Sequence, residues 1–129
     1  MATLTAGVTI SSTDLNNDSA GASSESLSVS LSDQLTVLGN HYSYVVAVNS
    51  TSSVFLGQAN HSKSYVLLYN TSTTTAETIQ IELADGDNDV ILLGAGVFAF
   101  FPWSATHDLY ADAATGTPVL EVRLYQSAA

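Results

Sequence analysis

The chain has no cysteine among its 129 residues, which removes disulfides, thiolate zinc sites and thiol nucleophiles from consideration. Cationic side chains are almost as scarce: Lys63 and Arg123 stand against 12 Asp and Glu, for a formal net charge of -10. Nucleic acid and anionic membrane surfaces repel so acidic a chain, so neither is an expected partner. Proline occurs twice, tryptophan once, and only 11% of residues are charged. The surface must therefore be solvated largely by hydroxyls and amides, and Ser and Thr supply about a quarter of the chain. The opening residues Met1-Ala-Thr-Leu-Thr-Ala6 carry no basic region and no long apolar run. The expectation is a soluble protein made without a signal peptide or a transmembrane helix.

What is present is apolar and alternating. Hydrophobic residues make up 46% of the chain, far more than a disordered segment offers, and the length suits one domain. Leu27, Val29 and Leu31 alternate with Ser28, Ser30 and Ser32, the period of a half-buried strand, and Leu35 to Leu38 continue it to an expected turn at Gly39-Asn40. Ser43-Tyr-Val-Val-Ala-Val-Asn49 and Ser64-Tyr-Val-Leu-Leu-Tyr-Asn70 look alike. They read as a buried strand ending twice in an Asn-Ser/Thr turn, with a duplicated hairpin as the alternative. Ile79, Ile81 and Leu83 share one face of a further strand, and Leu120, Val122 and Leu124 share one face of the last. Helical spacing with helix-forming residues is nowhere sustained. Short strands separated by turn signals predict an all-β fold, a single jelly-roll-like β-sandwich over residues 25–129. Residues 1–24, with the short alternating piece Val8-Thr9-Ile10 and a run rich in Asn, Asp, Ser and Gly, predict an extended N-terminal arm.

Motifs that carry chemistry are few. Asp85, Asp87 and Asp89 place carboxylates at alternate positions and are the candidate calcium site, but the Gly and Glu of an EF-hand loop are replaced by Val90 and Gly96, so a solvated hairpin turn is the ordinary reading. His41, His61 and His107 show no ligand spacing; His107 and Asp108 are merely adjacent. Nucleophile-elbow, S-x-x-K, H-E-x-x-H and phosphate-loop patterns are missing. The expectation is a non-enzyme with no catalytic residues and no cofactor. Asn17, Asn49, Asn60 and Asn70 match the glycosylation acceptor pattern, which in a chain so rich in Ser and Thr chiefly predicts four surface turns.

The stretch Gly94-Ala-Gly-Val-Phe-Ala-Phe-Phe-Pro-Trp103 holds three of the four Phe and the only Trp. As a strand it places Val97, Ala99, Phe101 and Trp103 on one face and Phe98 and Phe100 on the other, so both faces are apolar. Pro102 favours a sheet edge. Either a loop or the N-terminal arm folds over the second face, or Val97, Phe98, Phe100, Phe101 and Trp103 belong to a subunit interface of a homo-oligomer.

Tyr69-Asn-Thr-Ser-Thr-Thr-Thr-Ala-Glu77-Thr-Ile-Gln-Ile81, Gly96-Val-Phe-Ala-Phe-Phe-Pro-Trp103 and Leu120-Glu-Val-Arg-Leu-Tyr125 resemble small β-rich virion proteins of tailed, notably marine, bacteriophages, over roughly residues 64–126. The resemblance implies a structural role, such as a capsid decoration (cement) protein or another head or tail accessory, located on the virion. Its partners would be the major capsid protein or other virion proteins. On that reading the aromatic strand builds a homo-oligomer, a trimer being favoured, while the arm, with Val8 and Ile10, lies across neighbouring subunits. The rivals are a phage tail or fibre component and a carbohydrate-binding adhesin module using Trp103, Tyr42, Tyr44 or Tyr110 as a sugar platform.

Overall fold

Period-two alternation buries one face of a strand, and the chain uses it throughout. The computed structural model describes residues 1–15, 25–83 and 91–128. The strands are β1 (Ala2–Leu15), β2 (Glu25–Ala47), β3 (Ser53–Leu56), β4 (Ser64–Asn70), β5 (Ile79–Glu82), β6 (Ile91–Leu93), β7 (Phe98–Trp103), β8 (Leu109–Ala113) and β9 (Val119–Ser127), with a 3-10 turn at Gln58–Asn60. Among the described residues no helix is long and apolar enough to cross a membrane.

The chain is doubled back on itself about the β5–β6 connection. β5 pairs with β6, β4 with β7, β3 with β8 and β2 with β9, all antiparallel. Rolling the doubled chain adds the pairs β4 with β9 and β5 with β8. Two sheets result, ordered β1-β2-β9-β4-β7 and β3-β8-β5-β6. Leaving out β1, this is an eight-stranded jelly-roll sandwich, the all-β architecture expected from the sequence.

The core lies between the sheets. Val66 and Leu68 on β4, Leu120, Val122 and Leu124 on β9, Ile79 and Ile81 on β5 and Leu109 on β8 are all buried, with Leu56, Leu93 and Trp103 beside them. At about 1.5–3 kcal/mol for each large side chain removed from water, this cluster is the main stabilising contribution.

Two expectations change. The Gly39-Asn40 pair does not turn the chain: β2 runs through it, and a step of four positions on β2, from Val37 to His41, faces a step of two on β9, from Ser127 to Tyr125. Gly39 adopts φ +83°, a left-handed conformation that glycine takes without strain, and so absorbs the bulge. The bulge falls where β2 changes partner, since its β1 ladder ends at Ala2 opposite Val37. The second change concerns the arm. Residues 2–15 are not a lone segment but one half of an antiparallel ribbon whose other half is the first part of β2, up to Val37. The ribbon and the sandwich therefore share β2.

Candidate functional site

The ribbon is amphipathic to an unusual degree. On one face Leu4, Ala6, Val8 and Ile10 of β1 stand opposite Leu35, Asp33, Leu31 and Val29 of β2. On the other face Thr3, Thr5, Gly7, Thr9 and Ser11 stand opposite Thr36, Gln34, Ser32, Ser30 and Ser28. The hydroxyl face is suited to water. The aliphatic face is not, yet Val8 is 47% exposed, Ile10 54% and Leu31 67%.

That aliphatic face overhangs the outer face of the five-stranded sheet. Between them is an open cleft of about 630 Å³, lined by Leu4, Ala6, Val8, Leu31 and Leu35 from the ribbon and by Tyr65, Leu67, Phe98, Phe100, Pro102 and Tyr125 from β4, β7 and β9. Asp33 is the one charged residue in its lining. Tyr65 and Phe100 stack with centroids 6.3 Å apart, while Phe98 remains 64% exposed. The arm thus reaches over the second aromatic face, as one sequence expectation had it, but leaves the space between unfilled. An apolar surface this continuous and this open is the kind that a partner covers.

The aromatic strand divides by parity. Phe98 and Phe100 point outward to the cleft, and Val8 meets them across it. Phe101 and Trp103 turn inward against the core, where Trp103 is only 5% exposed and its Nε1 donates to the His107 carbonyl at 3.1 Å. Within one copy Trp103 is a core residue and Phe101 packs half-buried against the core, whereas Phe98 and Phe100 are the members of the aromatic strand that face the cleft. Ile10 lies on the same ribbon face as Val8, and Val97, in the turn before β7, is 44% exposed; neither lines the cleft.

The turn that launches β7 is anchored by Asn70. Fully buried, its Nδ2 donates to the carbonyls of Glu77 (2.8 Å) and Leu93 (2.9 Å), and its Oδ1 accepts from the Ser72 amide at 3.1 Å. Its main chain bonds the same turn, accepting from Gly96 N at 2.9 Å and donating to Val97 O at 3.0 Å. Gly96, at φ +74°, supplies the left-handed residue this turn requires. Asn70 is therefore not the surface acceptor that its Asn-Thr-Ser context predicted; Asn49 and Asn60 are exposed, and Asn17 lies outside the described residues. Asn49 does repeat the local device, its Oδ1 accepting from the Thr51 amide at 2.8 Å, so both look-alike strands end in an Asx turn.

Among the described residues the titratable groups are dispersed. His41 stacks on Tyr125, His61 sits between Tyr42 and Trp103, and the Nδ1 of His107 shares a hydrogen bond with Thr106. The neighbouring Asp108 accepts from the Gln58 amide at 2.7 Å. Among the described residues no group of three His, Asp or Glu is placed to hold a metal ion; Asp85, Asp87 and Asp89 lie outside them. Arg123 donates from Nε to Glu121 at 2.8 Å on the outer face of β9, and that hydrogen bond and charge raise its pKa. Tyr44 donates its hydroxyl to the Phe55 carbonyl at 2.6 Å, and burial pushes its pKa up. Of the tyrosines considered for a sugar platform, Tyr42 is half exposed, whereas Tyr44 and Tyr110 are partly covered.

Sequence reasoning missed Leu4, Leu31, Leu35, Tyr65, Leu67 and Tyr125 as parts of this surface. The signal was present in the alternation of Leu4, Ala6, Val8 and Ile10, which matches that of Leu27 to Leu35 and marks two strands of one ribbon. The chain matches no protein-family model, no curated protein and no solved structure.

Proposed function

We propose that this chain is a non-catalytic structural protein of a virus particle, most simply a decoration or cement protein that binds the outer surface of a phage head. The observation that carries the proposal is the open apolar cleft between the ribbon and the Phe98 and Phe100 face of β7. A segment of a neighbouring shell subunit entering that cleft would bury aliphatic and aromatic surface at about 25 cal/mol per Å². Asp33 is the one charge to be desolvated in the process. The remaining acidic, hydroxyl-rich surface suits the outside of a shell, away from packaged nucleic acid. Jelly rolls recur in viral shells and equally in lectins, so it is the cleft rather than the fold that favours a shell partner.

The test is quantitative mass spectrometry of particles purified from the virus whose genome carries the gene, alongside particles with Val8→Ser and Phe98→Ser together. A decoration protein is present in numbers comparable to the shell subunits, and the double variant is lost from the particle while remaining folded. A handful of copies per particle favours a tail or fibre component instead. Absence from the particle refutes both readings. The adhesin reading has weaker support, because Trp103, its strongest sugar-stacking candidate, is buried.

A further inference from the structure

The two sheets have four edges, and they are not alike. β3 has four residues, β6 three, and β7 six with Pro102 among them. These are short or interrupted, the ordinary means by which proteins keep sheet edges from pairing with other chains. β1 has 14 residues, and from Ala2 to Ser12 it has none of those devices. Residues 2–13 contain no proline and no charged side chain, and the β1–β2 ladder runs without irregularity from Ala2 to Ser12. One side of β1 bonds to β2; the other is an outer edge of the five-stranded sheet, and among the described residues no strand lies beside it.

We infer that this outer edge pairs antiparallel with the β1 edge of a second copy of this chain, about a two-fold axis at Gly7. The regular, uncharged stretch Ala2 to Ser12 is centred on Gly7, so that axis overlaps the whole stretch with itself. Residues directly opposite in an antiparallel pair share a face, and this register sets Leu4 opposite Ile10 and Ala6 opposite Val8 on one side. On the other side Thr3 meets Ser11 and Thr5 meets Thr9, so both faces match in kind. The charge of -10 on each copy opposes association in general, but no charge falls within the paired stretch. The alternative of a ring, in which β1 of one copy pairs with β7 of the next, is disfavoured because Pro102 cannot donate to a ladder. The product is a dimer with one sheet running continuously through both copies, from β7 of one to β7 of the other. The inference concerns the edge of the ribbon and the proposed shell docking concerns its aliphatic face, so either can fail alone.

The cysteine-free chain allows a direct test. A side chain at Gly7 has room, since an added Cβ would come no nearer than 3.5 Å, to the Leu31 carbonyl, and 3.7 Å to Ser32 Cβ. Directly opposed strand residues lie within disulfide reach. Gly7→Cys should be dimeric when reduced and become a covalent dimer on oxidation, whereas Ser32→Cys, on the same face one strand inward, should not crosslink. Independently, Thr5→Lys with Thr9→Lys brings like charges together across the axis and should halve the solution mass measured by light scattering. Thr5→Lys with Thr9→Glu pairs opposite charges and should retain the dimer. A monomeric or trimeric parent overturns the inference. So does crosslinking at Ser32 rather than Gly7, or identical masses for the two charge variants; circular dichroism confirms that each variant is folded.

Discussion

Asn70 is a polar side chain at the centre of an apolar sandwich, and every hydrogen-bonding atom of its amide group has protein around it. Its two donated bonds tie the end of β4 to the approach to β5 and to β6, and its accepted bond holds the following turn. Asn70→Ala leaves two carbonyls and an amide without their partner, and we expect a loss of about 2–4 kcal/mol of unfolding free energy in urea titrations. Tyr44 bears a smaller load. Removing its bond to Phe55 in Tyr44→Phe should cost about 1 kcal/mol at neutral pH. Folding holds the Tyr44 proton more tightly than the unfolded chain does, because burial raises its pKa above the ordinary 10.0. The stability Tyr44 contributes is thus complete below that value and declines as pH rises through the higher native one. Denaturant titrations above pH 10 should show Tyr44→Phe losing less stability with pH than the parent.

At the scale of elements, β7 separates two roles that lie one residue apart. Trp103→Ala opens a cavity in the core and should cost about 3–5 kcal/mol, while Phe98→Ser, on a side chain 64% exposed, should stay within about 0.5 kcal/mol. Thermal unfolding of the two variants checks the contrast. The parity behind it was readable from the sequence, as were the burial of alternate residues on β5 and β9, because a strand's period survives any arrangement of its neighbours. What could not be read was what each face meets. Gly39-Asn40 carries the composition of a turn but serves as a bulge, since only the arrangement of β1 and β9 along β2 decides that the strand must continue. Asn70 carries the composition of an exposed acceptor, yet the closing of β6 and of the β7 turn over it makes it interior.

For the whole molecule, charge and shape oppose each other. Ten net negative charges spread over a small body repel like copies and acidic partners alike, whereas residues 2–13 carry no charge and the largely apolar lining of the cleft carries one, Asp33. Association should therefore tighten with salt: we expect at least about a tenfold rise in affinity between 0.01 M and 0.15 M ionic strength, as the Debye length falls from about 30 Å to about 8 Å. Light scattering across a salt series measures it. An interaction built on opposite charges would change in the reverse sense. The jelly roll itself was legible as a class from strand spacing, but the candidate surface was legible only in halves, Val8 in one segment and Phe98 and Phe100 in another. Their meeting is a product of the fold's curl, which no local pattern encodes.

β2 belongs to the ribbon for its first half and to the sandwich for its second, with no hinge of free chain between them. A pull on the ribbon's outer end, directed along the strand, is delivered to the β2–β9 ladder from His41 opposite Tyr125 to Ala47 opposite Val119. There it acts parallel to the strands, so the bonds of that ladder must yield together rather than one after another. A pull directed across the ribbon instead peels β1 from β2 a rung at a time. The molecule is thus stiff to tension in one direction and compliant in the other, and the way it is loaded decides how firmly it holds.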